Sequence, residues 1–334
     1  MKNISKYSIF YVVIFFSLIL SACGPSSQNS GKVAIDEDGT KHISGNITIS
    51  GAWALYPLAN IWAEEFIKIH PEVRINISAG GAGKGFADAL SQAVDLGMFS
   101  REIKDEEKAQ GVWWVSVTKD AVLPTINVNN PVLQQIKTRG LTQEEFRKIF
   151  ITREITNWGE VTNGATSEKI GLYTRSDAAG AAATWAEYLG AKGQEELQGI
   201  GVYGDPGLAD AVKKDKNSIG YNNVIYAYDL QSGNKYSGIE VIPIDVNGDG
   251  KISDNENFYD DLKGVIKAIG DGRYPSPPAR ELYFISKGKP TNQAAVEFLK
   301  WILTEGQQFI DEAGYIRLPK ETINRELAKL DVAM

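Results

Sequence analysis

The residues best suited to hold a small hard cation lie between Asp245 and Glu256. Asp245, Asn247 and Asp249 stand at alternate positions, Gly250 occupies the sharp turn, Lys251 offers its carbonyl, Ser253 a water-mediated contact and Glu256 a bidentate carboxylate. This is the spacing of a twelve-residue EF-hand calcium loop. A strand-like run, Ile239 to Ile244, precedes it where an EF-hand would have a helix, while Phe258 to Ile269 reads as the following helix. A structural calcium site is therefore expected rather than a calcium sensor; an Asp/Asn-rich turn holding no metal is the alternative. No organic cofactor is expected.

A second set of residues suits an anion. Three Gly/Ala-rich turns, Gly51 to Leu55, Gly80 to Gly85 and Ala178 to Ala182, each stand just before a helical pattern. A helix beginning presents unpaired N–H groups and the positive end of its dipole, and small residues let an oxyanion approach them. The candidate ligand-binding residues are Ala52, Trp53 and Ala54 in the first turn, Ala82 and Gly83 in the second, and Gly180 and Ala181 in the third. Arg175, just after a strand-like run, is the candidate for a charge-assisted clamp. Ser100 adds a hydroxyl donor, and Lys84 and Arg101 could add field. The competing reading is that small residues permit tight packing and that Arg175 makes a surface ion pair. Gly83-Lys84 is not a P-loop, because Ser78 stands five residues before Gly83 and Gly85 follows the lysine.

The elements that must carry these turns alternate between two periods. Ile47 to Ser50 reads as a strand and Pro57 to His70 as an amphipathic helix ended by Pro71. Val73 to Ser78 alternates as a strand, Phe86 to Gln92 reads as a short helix, and Val94 to Phe99 is apolar. Thr142 and Glu145 form a capping box. Ile170 to Thr174 reads as a strand, Gly180 to Leu189 as a helix, Arg280 to Ser286 as a strand, and Gln293 to Leu303 and Gly306 to Ala313 as helices. Repeated strand-turn-helix units argue for an α/β fold with largely parallel sheets.

Length and charge limit the classes. A chain of 334 residues suits two lobes better than one core. A formal charge of −7 with no Lys/Arg cluster argues against nucleic acid. The two histidines, His42 and His70, lie far from the turns, so no Ser-His-Asp or zinc arrangement marks an enzyme, and none is expected. Lys2 and Lys6 precede an uncharged apolar run, Tyr7 to Leu20, of signal-peptide length. It ends in Leu20-Ser21-Ala22-Cys23-Gly24, which resembles the bacterial lipobox. Residues 1–22 are thus expected to be a removed signal peptide, Cys23 a lipidation site, and residues 23–43 a flexible tether on the extracytoplasmic side of a bacterial membrane.

Six ordered segments complete the reading: Ile49 to Ala59, Trp62 to Phe66, Ala79 to Phe86, Val94 to Arg101, Ile155 to Gly159 and Ser286 to Pro290. Together they resemble the phosphate-binding protein family of ABC importers, over roughly residues 44–318. The resemblance implies a two-lobe clamshell of the periplasmic-binding-protein kind, crossed twice by the chain, near Leu123 to Val128 and near Leu282 to Phe284. Lobe 1 would comprise residues 44–123 and 285–334, and lobe 2 residues 124–284. It also implies that Asp95 accepts a proton from a protonated oxyanion, that the solute is phosphate or a related oxyanion, and that the protein works as a monomer with transporter membrane subunits. The chain departs from the family at the hydroxyl donors. Ala52, Trp53 and Ala54 replace Ser or Thr in the first turn, Ala82 replaces Ser in the second, and Arg175 to Ala182 lacks the usual Ser, Thr and second Arg. A clamshell for another small ligand, or a surface sensor or adhesion protein, is the alternative these departures leave.

Overall fold

A computed structural model describes residues 31–164 and 166–331. The strands are β1 (Lys32–Ile35), β2 (Lys41–Gly51), β3 (Val73–Ala79), β4 (Leu96–Phe99), β5 (Val112–Asn127), β6 (Gly171–Arg175), β7 (Ile200–Val202), β8 (Ser218–Asn223), β9 (Ile239–Val241) and β10 (Ala279–Lys287). The helices are α1 (Tyr56–Ile69), α2 (Ala82–Leu90), α3 (Asp105–Ala109), α4 (Leu133–Arg139), α5 (Gln143–Arg147), α6 (Gly180–Tyr188), α7 (Gly204–Lys214), α8 (Val224–Ala227), α9 (Leu262–Gly270), α10 (Gln293–Leu303) and α11 (Lys320–Asp331).

Two hydrophobic cores divide the molecule as its length suggests. One gathers Ile47, Leu58, Trp62, Phe66, Leu96, Phe99 and Val117 with Phe284, Phe298 and Leu330. The other gathers Ala121, Ile126, Phe146, Phe150, Trp185, Tyr221, Val265 and Ala279. The strands join into one curled, mixed sheet of order β1-β2-β4-β10-β5-β8-β6-β7, with β3 on β2 and β9 on β5. Pairing is parallel along β3-β2-β4 in the first lobe and β8-β6-β7 in the second, and antiparallel for β1 on β2, β10 on β4, and β8 and β9 on β5. It is antiparallel where β5 and β10 cross from lobe to lobe.

The crossings fall at the change of core. On β5 the side chains pass from the first core at Val117 to the second at Ala121, and on β10 from the second at Ala279 to the first at Leu282. The β5 crossing therefore lies a few residues ahead of the expected Leu123 to Val128, which is wholly inside lobe 2. A register shift between Leu282 and Tyr283 interrupts the β5-β10 ladder beside this point, and such a bulge bends and twists a strand pair locally. A third segment touches the hinge, since Lys119 and Ile316 exchange backbone hydrogen bonds at 2.9 and 3.0 Å. α11 then returns to lobe 1, its buried Glu326 accepting from the Ser116 amide at 3.1 Å and from Lys329 Nζ at 2.6 Å.

Local structure differs from expectation in three places. Residues 32–43, placed in the tether, form the β1-β2 hairpin, which is tied to the body by the Gly31 amide donating to Asn292 Oδ1 at 3.0 Å. α2 begins at Ala82, so Gly83 to Gly85 lie within the helix and only Gly80 and Gly81 of the glycine-rich stretch stand before it. Gly306 to Ala313 holds only a 3-10 segment, Glu305–Phe309. Cys23 and the apolar leader lie outside the described residues. Among the described residues, no helix is long and apolar enough to cross a membrane.

Candidate ligand-binding cleft

The three Gly/Ala turns meet along the seam between the lobes. β2 delivers Gly51 in a left-handed conformation, φ +132°, against the Met98 backbone of β4, and the Ala52 amide donates to the Met98 carbonyl at 2.9 Å. α1 starts four residues later, with proline in its first turn, a position that sacrifices no helical hydrogen bond. α2 starts after Gly81, φ +91°, and α6 after Ala179. Across the seam, the Gly83 amide of lobe 1 donates to the Ala178 carbonyl of lobe 2 at 2.9 Å. The Tyr226 hydroxyl of lobe 2 donates to the Trp53 carbonyl at 3.2 Å. Gly180 abuts Ser100, and Gly204 abuts the Trp53 ring, where a Cβ would sit 3.2 Å from Cε2. The lobes are therefore closed upon each other.

Ala52, Trp53, Ala82, Gly83, Ser100 and Gly180 thus gather at one seam. The methyls of Ala52, Ala54 and Ala82 pack into the lobe 1 core and that of Ala181 into the lobe 2 core. What these residues can offer an anion is backbone amide, chiefly the first-turn amides of α2 and α6 other than that of Gly83, which the Ala178 carbonyl already takes, with the Ser100 hydroxyl beside them.

Arg175 ends β6 inside this region, but it is not a free clamp. Its Nε and Nη2 donate to Asp177 Oδ1 and Oδ2 at 2.8 and 2.6 Å, and Nη1 donates to Asp205 Oδ2 at 2.5 Å. Burial opposes the guanidinium's charge, yet Asp205 and Asp177 outweigh it and hold the proton more tightly than usual. Asp177 in turn accepts the Gly204 amide at 3.1 Å and reaches the seam at Gly81, where a Cβ would meet Oδ2 at 2.8 Å. Two carboxylates therefore cancel the one arginine.

Asp95 does not join the seam. It precedes β4 at the end opposite Ser100, about 16 Å along an extended chain, and its carboxylate is taken up locally. Oδ2 accepts from the Thr48 amide and hydroxyl, both at 2.7 Å, and Oδ1 accepts from Asn292 Nδ2 at 2.9 Å. It lines a separate cavity of about 330 Å³ with Asn46, Ser286 and Asn292. Lys84 pairs with Asp88, and Arg101 with Glu107 at 2.6 Å while lying over the Phe99 ring. Their charges are likewise spent within lobe 1.

The loop from Asp245 to Glu256 lies in lobe 2 beyond the seam. Asp245 accepts the Gly248 and Gly250 amides at 2.8 and 2.9 Å, and Asn247 accepts the Asp249 amide at 2.9 Å. Asp249 accepts the Lys251 amide at 2.9 Å. Glu256 closes the loop, its Oε1 accepting from Val246 and Asn247 and its Oε2 from the Ser253 amide and hydroxyl. Burial works against the charge of Glu256, but these donors outweigh it and hold the carboxyl below its ordinary range. The described residues contain no group of three or more His, Cys, Asp or Glu placed to hold a metal ion.

The sequence reading missed the residues that govern Arg175. Asp177 follows it by two positions, and Asp205 opens α7, a helix that the pattern reading passed over. An Asp-Pro-Gly at positions 205–207 was the available signal, since acids favour the first turn of a helix. Arg280, Asp120 and Asn223 are buried polar residues inside strand patterns, and nothing in those patterns distinguishes a buried charge from a solvent-facing one.

The PBP superfamily domain model matches residues 36–305. The chain belongs to the PBP superfamily. Among its relatives, it is 26% identical over 324 residues to a protein of Bacillus subtilis (strain 168) named phosphate-binding protein PstS, covering 96% of this chain and 97% of that one. It is 26% identical over 309 residues to a protein of the same name from Pseudomonas aeruginosa PAO1, covering 86% and 88%. Of solved structures, a putative phosphate ABC transporter substrate-binding protein with bound phosphate from Clostridium perfringens aligns with TM-score 0.66 and 24% identity, covering 82% of this chain and all of that one. An ABC-type phosphate transport receptor from Vibrio cholerae aligns with TM-score 0.59 and 20% identity over the same shares. The two-lobe arrangement is thus a PBP fold.

Proposed function

We propose that this protein captures inorganic phosphate, or a related oxyanion, between its lobes and presents it to the membrane subunits of an ABC importer. The observation that carries the proposal is the meeting of the α2 and α6 beginnings at one closed seam, joined by the Gly83 amide to Ala178 carbonyl bond at 2.9 Å. Such ends stabilise an anion without a net positive side chain. Relatives named phosphate-binding proteins, at 26% identity over nearly the full chain, favour phosphate. Solute bound to both lobes favours the closed form only through its differential contacts, and closure is what a membrane partner would read.

Anchoring by lipid at Cys23 on the extracytoplasmic face, with residues 1–22 removed, belongs to the same proposal, as do a monomeric state and a structural calcium ion in the 245–256 loop. No enzymatic role is proposed. A second reading, a clamshell for a less charged small ligand, is favoured by one observation: Asp177 and Asp205 already engage each of the three guanidinium nitrogens of Arg175. A charge-assisted hydrogen bond contributes about 1.5–3 kcal/mol, so an arginine already engaged weakens the case for a multiply charged oxyanion. Calorimetric titration with phosphate, sulfate, molybdate and a small phosphonate tests both. Saturable binding of phosphate is expected; binding of none of the four would end the oxyanion reading.

A further inference from the structure

A chain of buried polar side chains runs from the hinge strands to the cleft. Arg280 on β10 faces Asp120 on β5 across the crossing, with Nε 2.9 Å from Oδ1 and Nη2 3.4 Å from Oδ2. The same guanidinium donates from Nη1 to Thr184 Oγ1 on α6 at 3.1 Å and from Nη2 to Asn223 Oδ1 at the end of β8. Asn223 Nδ2 donates to Asp205 Oδ1 at 2.8 Å, and Asp205 Oδ2 accepts from Arg175 Nη1 at 2.5 Å. None of the five ionisable or amide groups in this line is more than 8% exposed.

The pattern of partners exceeds what burying Arg280 requires. Asp120 alone balances its charge. The two further acceptors are neutral, and they sit on the two elements that bear the cleft residues: Thr184 lies one helical turn past Gly180 on α6, and Asn223 leads to Arg175 through Asp205. An amide has a polarity, since its oxygen only accepts and its nitrogen only donates. Arg280 on one side and Asp205 on the other therefore fix Asn223 in a single orientation. A connected network of this kind behaves as a unit in the low-dielectric interior.

We infer that Arg280 is a positioning residue, which sets the placement of Arg175 and of the α6 beginning from the hinge through Asn223 and Thr184. The inference rests on the reading of the seam as an oxyanion site. Because Arg280 lies beside the β5-β10 bulge, the same side chain ties the hinge to both donor sets of lobe 2.

The test uses the full chain in three forms: wild type, Asn223→Ala, and Arg280→Lys, which keeps the charge opposite Asp120 but cannot reach three partners at once. Two quantities are measured, exchange of the Arg175 Nε–H with solvent by NMR without ligand, and affinity for inorganic phosphate by calorimetry. Asn223→Ala is expected to speed Arg175 exchange at least tenfold and weaken phosphate binding about tenfold, with exposed Arg317 unchanged. Arg280→Lys should shift both in the same direction by less, and it carries the comparison alone should the alanine variant fail to fold. Unchanged exchange, or faster exchange with unchanged affinity, overturns the inference. A wild type that binds no phosphate removes the ligand reading instead, and the exchange comparison then decides the positioning by itself.

Discussion

Gly180 lies so close to Ser100 that a Cβ on the glycine would fall within 3.0 Å of both the Ser100 hydroxyl and its carbonyl. Gly180 opens α6 in lobe 2 and Ser100 follows β4 in lobe 1, so the contact exists only while the lobes are shut. Gly180→Ala is therefore a wedge. The helix tolerates alanine at this position, and folding should be preserved, with Tm within a few degrees of wild type. Ligand affinity should fall at least tenfold, and solution scattering should give a larger radius of gyration. A variant as compact as wild type would mean that this contact does not hold the closed form.

Replacing Arg175 does more than delete a ligand contact. Asp177 and Asp205 would be left as buried carboxylates with their main partner gone, and breaking a buried pair this way costs about 3–5 kcal/mol. Arg175→Ala is expected to lower thermal stability markedly as well as to abolish oxyanion binding. Arg175→Ala with Asp177→Asn should recover part of the stability but none of the binding. Chemical denaturation of both variants separates the two effects, and full stability in the single variant would contradict the buried triad.

Asp120 gives the hinge a pH dependence of definite sign. Burial raises its carboxyl from 3.8 to about 6, with Arg280 opposing the rise and Asp205 adding to it. The folded protein therefore holds this proton more tightly than the unfolded chain does. The stabilisation is fully present below pH 3.8 and is lost as pH climbs through about 6. Relative to Asp120→Asn, the wild type should lose stability between pH 4 and 6.5, read as the difference in Tm across that range. Parallel profiles for the two proteins would show that Asp120 is not the titrating group.

Calcium should act on the 245–256 loop and not on the cleft. Asp245, Asn247, Asp249 and Glu256 carry oxygens at the spacing a calcium ion uses, and Glu256 already closes the loop upon its own amides. Millimolar calcium is expected to raise Tm over chelator by a few degrees in wild type and not in Glu256→Gln, with phosphate affinity equal in both conditions. No shift in the wild type would leave the loop as a turn closed by its own hydrogen bonds.

Sequence pattern revealed the elements and misplaced the charges. α1 and α10 were legible because an apolar face recurs at helical spacing, and for α1 because Pro57 marks the start. The seam glycines were legible because turns that abut another backbone exclude side chains. Arg175 was found by type and position, yet its chemistry depends on Asp177 and Asp205, and a one-dimensional pattern does not say that three residues spread over 175–205 share one buried site. Asp95 shows the converse error. The family resemblance implied a ligand contact, whereas the parallel pairing of β2 with β4 gives it Thr48 instead.

Trp53 supplies a reporter for closure. It stands in the first turn of lobe 1, edge-on to Tyr56 and Tyr203 at centroid distances of 6.2 and 6.3 Å, with its Nε1 enclosed and without a hydrogen-bond partner. Tyr203 and Gly204 belong to lobe 2, so opening the seam removes half of this enclosure and exposes the indole to water. Wild-type emission should be shielded from acrylamide in the presence of ligand and should become at least twofold more quenchable when the ligand is removed by dialysis. Trp62, Trp158 and Trp185 lie fully inside the lobe cores and should not respond. Trp53→Phe should abolish the change while preserving the fold. A ligand-dependent change that survives in that variant would place the moving indole elsewhere and remove the basis for reading lobe motion at this turn.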